Sequence, residues 1–145
     1  MAVIVLAVAG VVGGCDAEPE PVPPILAAQF PPIGAAGPLP ITVDDRTGLV
    51  RSIEIARSDG NTGDGVSTVV GRPAAIRLQW TGGLCDRRAV LLFDRNGGRI
   101  EVTVTTQSAD ACRLAGIVRA VTLDLAEPID PGIVVFASDI QPIQP

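Results

Sequence analysis

Short segments of alternating apolar and polar residues fill the sequence from residue 39 onward, and they limit the fold more than any other feature. In 99–106, for example, Ile100, Val102 and Val104 share one face of a strand, and polar side chains occupy the other. Turns rich in glycine, asparagine and aspartate separate the segments. The pattern predicts eight strands, at 39–43, 48–56, 66–70, 74–81, 88–94, 99–106, 117–125 and 133–137. Such a series predicts an all-β domain, a small antiparallel β-sandwich of immunoglobulin-like architecture.

The clearest turn lies between two of these strands. Asn96-Gly97 tolerates positive φ at both positions and therefore favours a tight hairpin. The strand before it, 88–94, is apolar on both faces, which predicts a central strand. The lone tryptophan, Trp80, lies on an apolar face, and we expect it in the core.

Two cysteines flank the predicted hairpin. Cys85 lies 12 residues before Gly97 and Cys112 lies 15 residues after it, so the hairpin brings both to its open end. In an exported protein we therefore expect a Cys85–Cys112 disulfide. Two reduced thiols in a cytosolic protein are the alternative.

Residues 1–12 form an uncharged apolar run. A helix of this length reaches about 18 Å, whereas the hydrocarbon core of a bilayer is about 30 Å thick. The run is therefore too short for an ordinary transmembrane helix, but it has the length of the apolar region of an export signal. No positively charged residue precedes it, so either the true start of the chain lies upstream, which we expect, or export of the chain as written is inefficient.

The apolar run ends in Val12-Gly-Gly-Cys15. This motif resembles the lipobox of bacterial lipoproteins, in which an aliphatic residue and two small residues precede an obligatory cysteine. The resemblance covers residues 1–15. It implies a signal peptide at 1–14, attachment of diacylglycerol and of a further acyl chain such as palmitate at Cys15, and anchoring to the cell membrane. The alternative is that Cys15 is a buried cysteine of an N-terminal strand.

Proline is concentrated between the predicted lipid site and the predicted domain. Eight of the 13 prolines lie in 16–40. Because proline lacks an N–H and fixes φ, neither a helix nor a central strand is expected there. We assign 15–38 to the lipidated cysteine and a proline-rich tether, and 39–145 to the folded domain. Some apolar residues of the tether, such as Phe30, are candidates for packing on the domain.

The charge composition excludes several classes of function. The chain carries a net charge of −5, and its 11 basic residues are all arginine, without lysine or histidine. Without histidine there is no Ser-His-Asp triad and no imidazole metal ligand. Scattered arginines in an acidic chain form no basic stripe for nucleic acid. We therefore expect no enzyme activity, no cofactor and no nucleic-acid partner.

The most site-like segment is the loop that contains Asp59, Asn61 and Asp64. Closely spaced oxygen ligands can hold Ca²⁺, but the spacing of an EF-hand is not met. A plain solvated loop explains the same residues, because they are ordinary turn formers. Carboxylates also occur at Asp44-Asp45 and at Asp86, and a glycosidase could use such a pair. A glycosidase would also need a cleft lined by aromatic residues that bind sugar rings, and the chain has few aromatic residues.

Together these features predict a membrane-anchored lipoprotein on the extracytoplasmic face of the cell envelope. We expect its domain to be a non-catalytic binding or accessory module with an envelope protein as partner. A small-ligand or Ca²⁺-binding lipoprotein is the second hypothesis, and a carboxylate-based enzyme is the third. The sequence leaves the ligand, the oligomeric state and the choice of membrane open.

Overall fold

The computed structural model describes residues 26–58, 60, 63–109 and 116–143. This part of the chain contains nine strands and one short 3₁₀ turn: β1 (Leu26–Phe30), β2 (Leu39–Asp45), β3 (Val50–Ala56), β4 (Gly65–Val69), β5 (Arg72–Gly82), β6 (Asp86–Asn96), β7 (Arg99–Ser108), β8 (Ile117–Leu125), the 3₁₀ turn (Pro131–Ile133) and β9 (Val134–Pro142). Each of the eight predicted strands is present; the strand at 117–125 has the predicted ends, and the other seven have shifted ends. Among the described residues, no helix has the length and apolar character needed to cross a bilayer.

The strands form two sheets that share one core. The first sheet has five strands in the order β1-β2-β6-β7-β9, and the second has four in the order β3-β8-β5-β4. One apolar cluster contains residues of both sheets, so their inner faces pack together. Its most deeply buried members include Leu39, Ile41, Leu78, Leu91, Phe93, Val102, Val104, Val121 and Leu123. The predicted all-β fold is confirmed, and its two sheets are arranged as in a sandwich.

The prediction of a wholly antiparallel arrangement is wrong at two places in the five-stranded sheet. β2 pairs with β6, and β7 pairs with β9, in parallel registers such as Ile41–Ala89 and Val102–Phe136. In both pairs the partners are separated along the chain by strands of the other sheet. Their direction depends on how the chain crosses between the sheets, which residue alternation does not encode. The immunoglobulin-like architecture stays a prediction.

The first described strand, β1, lies inside the predicted tether. Leu26, Ala28 and Phe30 alternate toward the core, and Phe30 is 3% exposed. β1 pairs antiparallel with β2 and forms one edge of the five-stranded sheet. The described fold therefore begins before residue 39. The sequence did not reveal this edge strand because prolines lie next to it. The predicted signal peptide and Cys15 lie outside the described residues.

The centre of the five-stranded sheet matches the sequence pattern closely. β6 lies between β2 and β7, as its two apolar faces predict. The β6–β7 hairpin is present, but its turn is Gly97-Gly98 rather than Asn96-Gly97, because Asn96 still pairs with Arg99. Both glycines have positive φ, 55° and 82°, as a type I′ turn requires. Trp80 is 1% exposed, which confirms that it is a core residue.

Candidate functional site

The loop between β3 and β4 carries the three candidate metal ligands. Asp59 and Asn61 lie outside the described residues. One carboxylate oxygen of Asp64 accepts a hydrogen bond from the Thr81 backbone N–H at 2.8 Å, and the other accepts one from the Ser138 hydroxyl. Asp64 therefore links this loop to β5 and β9. In the part of the chain that the structure describes, no group of three cysteine, aspartate or glutamate side chains is placed to hold a metal ion.

A shallow polar pocket of about 230 Å³ opens beside Asp64. Side chains of β4 and β5 line it, including Ser67, Arg77 and Gln79. Arg77 donates a hydrogen bond to a carbonyl of the β3–β4 connection, and Gln79 Nε2 donates one to the Gly63 carbonyl at 3.3 Å. The residues that line the pocket therefore also fasten this connection to the outer face of the four-stranded sheet.

Asp45, one of the paired carboxylates noted in the sequence, organises the turn between β2 and β3. It accepts hydrogen bonds from the backbone N–H groups of three following residues, at 2.8 to 3.1 Å, and from the Thr47 hydroxyl at 2.7 Å. Neighbouring Asp44 forms an exposed ion pair with Arg46 at 3.4 Å. The two carboxylates project to opposite sides of the strand, so they do not act on one site.

Asp86 belongs to a buried ion pair with Arg119 of β8, with side chains that are 0% and 1% exposed. Arg119 Nε lies 4.0 Å from Asp86 Oδ2, which also accepts a hydrogen bond from the Gly83 N–H at 2.7 Å. Asp86 Oδ1 and Arg119 Nε and Nη1 have no hydrogen-bond partner among the described residues. Burial lowers the pKa of the Arg119 guanidinium, and the Asp86 charge opposes this effect.

An aromatic ring lies against the Arg119 end of this charge pair. The Arg119 guanidinium lies 5.2 Å from the centre of the Phe30 ring, and Phe30 packs edge-on against Trp80 with ring centres 5.7 Å apart. Gly82 makes room for the pair, because a Cβ at this position would clash with Asp86 Oδ2. The sequence gives one indication of this buried pair, because Arg119 interrupts an otherwise apolar strand face.

A second charge cluster lies on the outer face of the four-stranded sheet. Arg72 donates to both carboxylate oxygens of Asp124, at 2.6 and 2.7 Å, and to Glu54 at 3.2 Å. The Ser52 hydroxyl donates to Asp124 at 2.9 Å. The hydrogen bonds from Arg72, and then that from Ser52, hold the pKa of Asp124 below its ordinary value. Asp124 therefore stays ionised, which does not suit a general acid.

Cys85 precedes β6 and lies at the open end of the β6–β7 hairpin, as the sequence predicts. Its carbonyl accepts a hydrogen bond from the Ala109 N–H at 3.2 Å, which holds the two ends of the hairpin together. Cys112 and Cys15 both lie outside the described residues. The pairing of Cys85 with Cys112 therefore stays a prediction.

The outer faces of the two sheets differ in exposure. On the four-stranded sheet, Gln79, Ala120 and Thr122 are at most 8% exposed. On the five-stranded sheet, β2, β6, β7 and β9 present side chains that remain partly or fully exposed. We call these side chains the open face: Thr42, Val90, Leu92, Thr103, Thr105 and Ala137. The strand registers place them in two neighbouring rows, which also contain Asp44 beside Leu92 and Asp139 beside Thr105, so a carboxylate flanks each row.

β9 forms the other edge of the five-stranded sheet. Its last six residues, Ala137–Pro142, are all exposed. Ile140 and the following Ile143 are 57% and 43% exposed. This strand therefore offers apolar side chains together with backbone donors and acceptors on the side away from β7.

No protein-family model matches the chain, and no match was found among curated proteins or among solved structures. Sequence reasoning missed the Asp86–Arg119 pair and the open face. For the open face the signal was present in strand 88–94, whose second apolar side, Val90 and Leu92, is only partly buried.

Proposed function

We propose that this protein is a lipoprotein of the bacterial cell envelope, anchored in the membrane through Cys15 on the extracytoplasmic side. The observation that carries the proposal is the apolar run 1–12, which ends in the motif at Cys15. Two acyl chains on one cysteine anchor a protein stably, because each buried methylene contributes about 0.8 kcal/mol. The proline-rich segment would then hold the β domain away from the bilayer.

The domain acts as a non-catalytic module that binds an envelope protein or serves as an accessory to a larger complex. The edge strand β9 supports this role, because an extended segment of a partner can add to an exposed strand through backbone hydrogen bonds. Ile140 and Ile143 lie beside that edge, and their exposed surface would be buried by the added segment.

Cys85 pairs with Cys112 in this proposal. Cys112 follows Ala109 by three positions, and the Ala109 N–H is bonded to the Cys85 carbonyl, so the chain passes close to Cys85 just before it reaches Cys112. An oxidising compartment outside the cytoplasm favours the bond. A closed loop of this length contributes roughly 3–4 kcal/mol to the free energy of unfolding.

Replacement of Cys15 tests the anchor. In bacteria that express the full chain, we expect the wild-type protein in the membrane fraction, labelled by a radioactive fatty acid. Cys15→Ser should lose the label and retain its signal peptide. Cys85→Ser is the matched control, because it makes the same chemical change outside the motif and should keep the label. Equal labelling of Cys15→Ser and the wild type would show that the proposed anchor is wrong.

A small-ligand function is the second candidate, and the pocket beside Asp64 favours it. The Arg77 guanidinium in its lining suits a polar or anionic ligand better than Ca²⁺. We therefore expect millimolar Ca²⁺ to leave the melting temperature unchanged. A Ca²⁺-dependent rise that disappears in Asp64→Ala, but persists in the control Asp139→Ala, would instead favour a metal site in this loop.

A further inference from the structure

The buried ion pair of Asp86 and Arg119 contains polar atoms that the described fold leaves unsatisfied. Asp86 Oδ1 and Arg119 Nε and Nη1 are buried, and none of them has a hydrogen-bond partner in the part of the chain that the structure describes. An unpaired polar group inside a protein is costly, and an unpaired charge is more costly still. Buried groups of this kind are normally bonded to the protein or to ordered water. The pair therefore requires a further molecule that both donates and accepts hydrogen bonds.

The two charged groups are held apart by contacts with their neighbours. Arg119 Nε lies 4.0 Å from Asp86 Oδ2, whereas a direct N–H···O hydrogen bond is about 2.9 Å long. Asp86 Oδ2 is already held by the Gly83 N–H at 2.7 Å. The Arg119 guanidinium lies against the Phe30 ring, whose centre is 5.2 Å away. Each group therefore has a second contact that opposes closure of the gap.

We infer that an ordered water molecule bridges Arg119 and Asp86 inside the core. Its oxygen accepts hydrogen bonds from Arg119 Nε–H and from the neighbouring Nη2–H, because these two bonds point in parallel from one edge of the guanidinium. One of its O–H groups donates to Asp86 Oδ1. Two hydrogen bonds of about 3 Å each join groups up to about 6 Å apart, so a water spans the gap. The bridge has about three hydrogen bonds, which is typical of a buried water. Arg119 Nη1 lies at the opposite edge of the guanidinium and is not part of the bridge.

Gly82 leaves space beside both charged groups. A Cβ at this position would clash with Asp86 Oδ2 and would lie 3.5 Å from Arg119 Nε. Because glycine has no side chain, no methyl or larger apolar group from this position fills the place beside the two polar atoms.

Water suits this place better than an ion does. An anion would accept hydrogen bonds from Arg119, but it would also lie beside the buried carboxylate of Asp86. A cation would be attracted to Asp86 and repelled by the guanidinium. Repulsion between like charges is strong in the interior, where little solvent screens it. Water donates to one group and accepts from the other, so it is favourable to both.

The bridging water is enclosed, and this property decides how it can be detected. Asp86, Arg119 and the neighbouring Phe30 and Trp80 are each at most 4% exposed. Exchange of the water with bulk solvent therefore requires local opening of the fold. We expect the water to stay bound for longer than the protein takes to tumble. The inference concerns the core alone and holds with or without a lipid anchor.

Magnetic relaxation dispersion of the water oxygen nuclei counts long-lived internal waters and tests the bridge in the full chain, purified in a mild detergent. Asp86→Leu combined with Arg119→Met replaces the pair by apolar side chains of similar size, which a core can accept. We expect this variant to have a dispersion amplitude lower than that of the wild type by about one water molecule. Asp124→Leu combined with Arg72→Met is the matched control. It makes the same changes at an ion pair that is 36% and 40% exposed, where water exchanges quickly, and it should keep the wild-type amplitude.

Nuclear Overhauser measurements on the wild type decide the question if the apolar variant does not fold, which its melting curve shows. In the full chain labelled with heavy nitrogen, the Arg119 Nε–H signal should show a cross-peak to water with the sign of a long-lived contact. Addition of chloride should leave the position of this signal unchanged. Equal dispersion amplitudes for the wild type and the folded apolar variant would overturn the inference, as would a folded wild type without the cross-peak. A chloride-dependent shift that saturates would also overturn it, because it would show a bound anion in place of water.

Discussion

Arg119 and Asp86 place opposite charges inside a core that is otherwise largely apolar. Removal of one partner leaves the other charge buried alone, which destabilises a protein more than removal of both. We expect Arg119→Met to lower the free energy of unfolding by about 3–5 kcal/mol. Addition of Asp86→Asn should recover most of this loss. Urea unfolding of the wild type and both variants measures the difference, and a wild-type stability for Arg119→Met would contradict the ion-pair account.

Asp124 leads to a prediction about pH at the same scale. Its pKa is lowered in the folded protein, chiefly by the hydrogen bonds from Arg72. The stability contributed by such a group is fully present above its unfolded-state pKa, near ~4, and is lost as the pH falls through the folded-state pKa. We therefore expect Arg72→Gln to lower the melting temperature at neutral pH, and its difference from the wild type to shrink in acid.

The pH effect should be small and sensitive to salt, because the Arg72 and Asp124 side chains are 40% and 36% exposed. Melting curves at low ionic strength, from neutral to acidic pH, provide the measurement. Arg51→Gln is the matched control, since it removes an exposed arginine outside this cluster. A difference between Arg72→Gln and the wild type that is constant at every pH would be inconsistent with the Arg72–Asp124 pair as its source.

At the scale of elements, the β6–β7 hairpin depends on a turn in which Gly97 has a φ of 55°. Asparagine adopts this conformation more readily than other side chains, and a Cβ at Gly97 would meet nothing within 4 Å. Gly97→Asn should therefore be tolerated, whereas Gly97→Val should lower the free energy of unfolding by roughly 1–2 kcal/mol. Denaturant unfolding compares them, and equal stability of the two variants would speak against the turn geometry.

The elements that the sequence predicts are those that local patterns encode. Alternation located strands that bury one face, as β7 does, and the glycines located the main hairpin to within one residue. β1 was hidden because prolines adjoin it, although Phe30 packs in the core. The two parallel pairings could not be predicted, since they join strands that are far apart in the chain.

The site residues follow the same division between local and distant contacts. Asp45 lies beside the turn that it organises, so local sequence is enough to suggest its role. Asp64 was predicted as a candidate metal ligand from its loop. Its hydrogen-bond partner Ser138 lies on a distant strand, so the local sequence did not show this contact. Arg119 was visible as an interruption, yet its partner Asp86 belongs to the other sheet. The sequence therefore did not predict which distant residues contact these charged side chains.

At the scale of the whole molecule, we propose a two-sheet domain at the end of a lipid-anchored tether. Such a domain presents the β9 edge of its five-stranded sheet to an envelope partner. This role depends on where the protein resides, so the anchor is the central claim.

The intact mass of the mature protein, purified in detergent from bacterial membranes, tests that claim most directly. The account predicts a chain that begins at Cys15 and carries the additional mass of its acyl chains. It should also be about 2 Da lighter than the dithiol form, because Cys85 and Cys112 have lost two hydrogens. A chain that retains residues 1–14, carries no acyl mass and has reduced thiols would contradict the export, the anchor and the bridge together.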